Sequence, residues 1–180
     1  MKFNPEKHHR RSIRLKDYDY ASAGGYFLTI CSFKRKCIFG KVINGEMYLN
    51  KIGRVVREEW MRTIYLRKEI ILDEFSIMPN HVHGIVMITE SDVVRATSRS
   101  PLQIKGPKPR SIGSFIAGFK SSATKRINKM LGTPGIPVWQ RNFYEHIIRN
   151  EYDLNEIRQY ILNNPRRWEL DEDNPKNLDI

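Results

Sequence analysis

Two histidines in the middle of the chain have the type and spacing of a metal-ligand pair. His81 and His83 flank Val82 in HVHGIVMIT, a β-branched run that predicts a strand over 81–89. Successive strand side chains point to opposite faces, so both imidazoles lie on one face and Val82 on the other. Two neutral imidazoles on one face suit a divalent cation, although an isolated His-X-His pair is more often structural. The pair is therefore a candidate metal site that needs further ligands.

A tyrosine and an asparagine near the C-terminus form the second candidate. Tyr160 and Asn164 are four residues apart in the segment 153–164, whose apolar residues recur at helical spacing. Residues four apart share one helix face. A phenolic hydroxyl can act as a covalent nucleophile, and an amide oxygen can be a hard metal ligand. The structural alternative is a tyrosine at the edge of the core and an asparagine that caps the helix.

Strands and helices alternate along the chain and position these residues. The patterns predict strands at 26–33, 70–77, 81–89 and 142–149, helices at 52–65, 111–131 and 153–164, and a hairpin over 37–50 that turns at Asn44-Gly45. Asp153 and Glu156 match a capping box, which predicts that the last helix begins at Asp153. This order favours an α+β fold with a ferredoxin-like split βαβ core and an antiparallel sheet.

The composition narrows the class of partner. The 180 residues include 31 Lys and Arg against 20 Asp and Glu, a formal charge of +11 at pH 7. Such an excess of positive charge in one domain indicates that the binding partner is a polyanion, either nucleic acid or an anionic membrane. Aromatic residues beside the charged residues favour nucleic acid. We expect a subset of the cations to contact DNA phosphates, namely Arg10, Arg11, Arg14, Lys16, Lys120, Arg141 and Arg158.

Composition also excludes several classes of protein. Short periodic apolar runs recur throughout, which excludes a disordered chain, and none approaches the length of a membrane-spanning helix. The N-terminal residues are polar and lack the apolar core of a secretory signal. The two cysteines, Cys31 and Cys37, have no zinc-type partner pair, so we expect a reduced, cytoplasmic protein.

The chain divides into a basic leader at 1–20, one domain at 21–168 and an acidic tail at 169–180. Residues 91–110 are rich in Ser, Thr, Pro, Gly and basic residues, which predicts a mobile loop inside the domain. The tail carries five acidic residues against Lys176 and directly follows the helix of Tyr160. There it could compete with DNA as a pseudo-substrate, or it could be a solvated end that aids solubility.

Several motifs in a consistent order resemble one family. MPNHVHGIV resembles the HUH motif (His, hydrophobic, His) of single-strand endonucleases, and RQYILNNP resembles the nucleophile helix of single-tyrosine transposases. The segments from RRSIRLKDYDY to KRKCIFG and from VWQRNFYEH to ILNNPRRW are similar to REP-associated tyrosine transposases. The resemblance spans about residues 10–168, without 91–109, and the C-terminal tail lies outside it.

The resemblance implies a role for each candidate residue. It implies that His81 and His83 bind a divalent cation, Mg²⁺ or Mn²⁺, with Asn164 as third ligand at a position where many relatives have Gln. It implies that Tyr160 attacks a DNA phosphate and forms a 5′-phosphotyrosine. The implied substrates are single-stranded hairpins of repeated extragenic palindromes. We therefore expect single-stranded or hairpin DNA as partner, no membrane and no small-molecule cofactor, and a monomer or homodimer.

Parts of the sequence raise three other functions, and the residues favour each of them less than the transposase-like function. A hairpin-binding protein that does not cleave would keep the fold, but the presence of both histidines, Tyr160 and Asn164 favours an enzyme. A nucleotide hydrolase with an HxHxH nucleophile requires a third histidine where Ile85 stands. An RNA-binding domain of the RRM type requires aromatic residues in paired strand motifs, which YFLTICSF matches only weakly.

Overall fold

The computed structural model describes residues 18–89 and 108–177. The strands in these ranges are β1 (Gly24–Cys31), β2 (Gly40–Ile43), β3 (Glu46–Leu49), β4 (Ile70–Ile77), β5 (His81–Ile88) and β6 (Tyr144–Ile148). The α-helices are α1 (Lys51–Leu66), α2 (Ile112–Leu131) and α3 (Glu151–Asn163), and short 3-10 helices span Phe33–Arg35 and Pro165–Leu170. The predicted order of elements is confirmed. Most of the predicted leader and of the loop at 91–110 lies outside the described residues.

Four strands form the main sheet in the order β4-β5-β1-β6, and every neighbouring pair is antiparallel. β1 and β4 are therefore parallel to each other, with β5 between them and α1 on the connection. β5 and β6 are likewise parallel to each other, with β1 between them, and α2 lies in the segment that connects them. Two split βαβ units of this kind make a ferredoxin-like α+β fold, as predicted.

The remaining two strands form the predicted hairpin as a separate sheet. Asn44 and Gly45 at its turn have φ values of 52° and 77°. Both values lie in the left-handed region that a two-residue hairpin turn requires, and Asn and Gly tolerate it best.

One face of the main sheet packs against α1 and α2 in the larger core. The even-numbered residues of β5 include Val82 and Val86, which are buried in this core. Trp60 of α1 packs edge-on against Phe115 and Phe119 of α2, with ring centroids 5.4 and 5.2 Å away. No helix in the described ranges is long and apolar enough to cross a bilayer.

The opposite face of the sheet packs against α3 through a smaller apolar cluster. Its buried members are Phe27 of β1, Ile85 of β5 and Ile161 of α3. Residues 81, 83 and 85 of β5 point to the same face of the sheet because strand side chains alternate. The two histidines therefore face α3 and not the larger core.

Gly84 makes a close contact between β5 and α1. A Cβ built at this position would overlap the six-membered ring of Trp60. We expect Gly84→Ala to lower the free energy of unfolding by about 1–3 kcal/mol, because overpacking strains the core. Urea denaturation followed by circular dichroism measures the change. Gly118→Ala in α2 is the control, because a Cβ there has nothing within 4 Å; equal losses in both variants would contradict the overlap.

Helix α3 begins earlier than predicted. Asn150, not Asp153, is the N-cap, because its side-chain oxygen accepts the backbone N–H of Asp153 at 2.9 Å. The Asp153 carboxylate accepts the backbone N–H of Arg149 and lies 3.0 Å from His146. The capping-box prediction was wrong because Asn caps helices as well as Asp does and lies three residues earlier.

Candidate active site

The histidine pair lies at the beginning of β5, on the sheet face that packs against α3. The ring centroids of His81 and His83 are 4.3 Å apart, as the strand alternation predicts. Their exposed fractions are 0% and 3%. The side chains are held in place by neighbours on β1 and before β5, which also decide which ring nitrogen is free.

Asn80 orients the ring of His81. The amide nitrogen of Asn80 donates to the backbone carbonyls of Arg35 at 3.0 Å and Asp173 at 2.6 Å. Its amide oxygen lies 2.9 Å from Nδ1 of His81 and therefore accepts a hydrogen from it. With Nδ1 protonated in the neutral ring, Nε2 of His81 carries the free lone pair that a metal requires.

His83 is placed by the antiparallel register of β1 and β5, which pairs it with Thr29. The hydroxyl of Thr29 lies 2.9 Å from Nδ1 of His83. Burial lowers the pKa of His83 to about 3. Burial, followed by the effect of His83, also lowers the pKa of His81 well below its usual value. Both rings are therefore neutral near pH 7, which is the form that binds metals.

Tyr160 of α3 contacts this pair directly. Its hydroxyl lies 3.3 Å from Nε2 of His83, and its ring packs edge-on against Phe27 with centroids 5.9 Å apart. Burial, followed by the charge of Asp171, raises the pKa of Tyr160, whereas the Asn164 side chain lowers it. The hydroxyl therefore keeps its proton near pH 7. The side chain still reaches solvent, with 40% of its surface exposed.

Asn164 follows α3 directly and is 2% exposed. Its side chain affects the pKa of His81 as well as that of Tyr160, so it lies close to both residues. Within the described ranges, the amide oxygen of Asn164 is buried without a hydrogen-bond partner. An unsatisfied buried acceptor costs about 1–3 kcal/mol, so its position favours a ligand role over a purely structural one.

The C-terminal acidic segment enters the same site. Oδ2 of Asp171 lies 3.9 Å from Nε2 of His81, and Oδ2 of Asp173 lies 3.9 Å from Nδ1 of the same ring. Arg35 forms an ion pair with the Asp173 carboxylate. Both aspartates line a cleft of about 1150 Å³ together with Tyr160. Negative charge therefore lies beside the histidine pair and Tyr160.

The donor atoms fit the divalent cation that the resemblance implies. Nε2 of His81, Oδ1 of Asn164 and Oδ2 of Asp171 are buried and lack hydrogen-bond partners in the described parts of the chain. One ligand atom each from His81, His83 and Asp173 lies within 4.8 Å of the others. Neutral imidazoles with amide and carboxylate oxygens suit Mn²⁺, and the oxygens suit Mg²⁺.

Three of the predicted DNA-contacting cations lie in the described ranges, and none of the three lines this cleft. The ammonium of Lys120 donates to the carbonyls of residues 140–142 at 2.8, 3.3 and 3.0 Å, and burial lowers the pKa of Lys120 to about 8. Arg158 donates to both carboxylate oxygens of Asp73, at 2.8 and 2.5 Å. Arg141 is exposed. The other four, Arg10, Arg11, Arg14 and Lys16, lie outside the described residues.

Sequence reasoning missed the residues that support the site. Asn80 precedes His81 in the chain, and this adjacency was the available signal for its role. Thr29 could be found only from the register of β1 with β5. Arg35 and the two aspartates come from distant segments, although the position of the acidic tail after α3 indicated its proximity.

Comparisons with known proteins agree with this architecture. No family model matches the sequence. An uncharacterized protein of Haemophilus influenzae (strain ATCC 51907 / DSM 11121 / KW20 / Rd) is 43% identical over 177 residues, which cover 95% of this chain and 96% of that protein. A solved structure of a REP-associated tyrosine transposase bound to a REP hairpin has a TM-score of 0.58 at 18% identity, covering 87% of this chain and 74% of the other. The chain therefore belongs to the same family as the Haemophilus influenzae protein, and it shares its fold with a REP-associated tyrosine transposase.

Proposed function

We propose that this protein is a transposase-like enzyme that cleaves and rejoins single-stranded DNA beside a hairpin. One observation carries the proposal: the hydroxyl of Tyr160 lies 3.3 Å from Nε2 of His83. His83 and His81 form a buried pair of neutral imidazoles. The shared fold with a transposase that binds a REP hairpin supports DNA of this kind as the substrate. The net charge of +11 supports a polyanionic partner.

In this proposal the Tyr160 oxygen attacks the scissile phosphorus. The bond from phosphorus to the 3′ oxygen breaks, so that a 5′-phosphotyrosine and a free 3′-hydroxyl remain. The phenolic proton is lost during attack, and the leaving 3′ oxygen gains one. The phosphodiester bond energy is kept in the tyrosyl ester, so a 3′-hydroxyl can reverse the reaction without ATP.

His81, His83 and Asn164 are the proposed ligands of Mg²⁺ or Mn²⁺, with the carboxylates of Asp171 and Asp173 close by. Such a cation, when bound, polarises the scissile phosphate and offsets the negative charge that develops on it. Asn80 fixes the tautomer of His81, which keeps Nε2 available as a ligand. These supporting contacts hold the site in place before DNA arrives.

A labelled hairpin with a single-stranded flank tests the proposed function. The protein is incubated with this DNA and Mn²⁺, and the products are separated under denaturing conditions. We expect a covalent protein–DNA adduct and a shortened strand with a free 3′-hydroxyl. A blunt duplex of equal length is the control and should give no adduct. A protein that binds the hairpin but never forms the adduct is a binding module, not an enzyme.

We further propose that the acidic segment competes with DNA for the cleft. Asp171 and Asp173 lie beside His81, and Arg35, a cation that could contact a phosphate, is paired with Asp173. The segment is tethered to α3, so its effective concentration at the site is high. DNA must displace these carboxylates in order to place a phosphate beside Tyr160.

The double variant Asp171→Asn, Asp173→Asn tests this competition. Without divalent cations and at low salt, we expect its Kd for the hairpin to fall about tenfold, because a unit charge 4 Å away costs about 1 kcal/mol even in water. The gain should shrink as salt screens the charges. Fluorescence anisotropy over a salt titration measures both effects. The control is Glu156→Gln, Glu169→Gln, which removes two exposed charges outside the cleft; an equal gain there would refute competition at the site.

A further inference from the structure

A second cleft lies between the C-terminal half of α2 and the loop that follows it. It has a volume of about 810 Å³ and is formed by residues 120–129 of the helix and 132–141 of the loop. We call it the helix-loop cleft. None of the residues proposed above for the chemistry lines it.

The helix-loop cleft is positively charged. Among the described residues, its lining includes Lys125, Lys129 and Arg141 and contains no Asp or Glu. All three of these side chains are exposed, and they form no ion pair with described residues. Lys125 and Lys129 are four residues apart and therefore share one face of α2. Three cations in a cleft whose described lining has no acidic residue favour an anionic occupant.

The other wall of the helix-loop cleft is apolar. Ile136 is 56% exposed there, next to Pro137 and the largely buried Trp139. The wall is held firmly, because Trp139 packs against Phe39 and Phe119 with ring centroids 5.1 and 5.3 Å away. A free phosphate ion would be bound by the cations alone and would leave the apolar wall without a contact. The apolar wall therefore points to a ligand that has a flat apolar face in addition to its negative charge.

The helix-loop cleft adjoins the catalytic cleft, which is the cleft lined by Tyr160, Asp171 and Asp173. Gln140 lines both clefts. Its backbone carbonyl accepts from Lys120 at 2.8 Å, and its backbone N–H donates to the carbonyl of Cys31 at 3.0 Å. The boundary between the clefts is therefore fixed to both α2 and β1, and one extended strand could lie in both.

We propose that the helix-loop cleft binds an unpaired nucleotide of the DNA strand that enters the catalytic cleft. Lys125 and Lys129 contact the phosphates on either side of this nucleotide, and the exposed apolar wall at Ile136 contacts its base. A base within a duplex is stacked between its neighbours and cannot offer its face to this wall. This inference rests on the proposed function, and it assigns a second site for the same substrate.

The test measures anisotropy of a fluorescein-labelled oligodeoxythymidylate without divalent cations, so that no cleavage occurs. We expect Lys125→Gln, Lys129→Gln to raise Kd about tenfold at 0.1 M salt and to make the log–log salt slope shallower by about 1.4, because two single-strand phosphate contacts are lost. The control is Lys41→Gln, Lys51→Gln, which removes two exposed lysines outside the helix-loop cleft. Equal losses in both variants would overturn the site in favour of general charge attraction.

Ile136→Ser tests the base contact separately. Only the backbone of Ile136 takes part in hydrogen bonds, so we expect the fold and the melting temperature to be kept. Its Kd for the oligonucleotide should rise about fivefold, while its Kd for a blunt duplex stays unchanged. An equal loss for the duplex, or competition by polyglutamate as strong as by the oligonucleotide, would overturn the proposal.

These measurements do not depend on the chemistry at Tyr160. If the wild-type protein forms the covalent adduct but the lysine and isoleucine variants bind like the wild type, only the helix-loop cleft is refuted. If no adduct forms but both variants lose binding to the unpaired strand, the cleft is supported and the proposed cleavage fails.

Discussion

Tyr160→Phe is expected to abolish the covalent DNA adduct and to lower cleavage by at least about a thousandfold. Phenylalanine has no oxygen that can form the phosphate ester, and loss of a nucleophile is among the largest single effects in enzymes. The aromatic ring remains, so its packing against Phe27 and His83 should persist. We therefore expect hairpin affinity to change less than about twofold, as measured by anisotropy, while the adduct disappears from denaturing gels.

The matched control for this variant is Tyr144→Phe. Tyr144 also lines the catalytic cleft and is 47% exposed, but no contact between its hydroxyl and the histidine pair is present. Tyr152 is the other tyrosine of α3 and lies eight residues before Tyr160. That side chain is 76% exposed and does not line the cleft, so the structure favours Tyr144 as the alternative. An adduct that survives in Tyr160→Phe and disappears in Tyr144→Phe would reassign the nucleophile.

Local patterns were sufficient to predict the elements and the grouping of the candidate residues. Strand alternation placed His81 and His83 on one face, and helical spacing placed Tyr160 above Asn164. The order of strands and helices led to the ferredoxin-like fold because few topologies accommodate it. Each of these inferences depends on residues that are close together in the chain, where stereochemistry restricts the alternatives.

The contacts that complete the site could not be predicted, because they join distant segments. Thr29 meets His83 across 54 residues of sequence, and Arg35 meets Asp173 across 138. Strand register and the path of the C-terminal segment decide both contacts, and neither has a local signature. The first residue of α3 could not be predicted either, because Asn150 and Asp153 both belong to residue types that cap helices well. Only the folded chain shows that Asn150 is the cap.

His81→Ala and His83→Ala are each expected to lower metal-dependent cleavage by more than about a hundredfold. Changes to residues that merely support metal ligands already cost 10–100-fold, and these variants remove the ligand itself. His146→Ala is the control, because that ring lies beside Asp153 at the start of α3 and not in the pair. We expect it to cleave like the wild type. Retained hairpin binding by the His81 and His83 variants would show that they are folded.

A binding measurement without DNA separates metal affinity from catalysis. Mn²⁺ at about 100 times its Kd should stabilise the wild-type protein by about 2.7 kcal/mol, which corresponds to a rise in melting temperature of about 5–10 °C. The rise should vanish in His81→Ala and His83→Ala. In Asn164→Ala the rise should be smaller but still measurable. A water molecule can take the place of a neutral amide oxygen more readily than the place of an imidazole. Unchanged stabilisation in all three variants, or full cleavage activity in excess EDTA, would exclude the proposed metal site, whereas a graded loss would identify the imidazoles as the principal ligands.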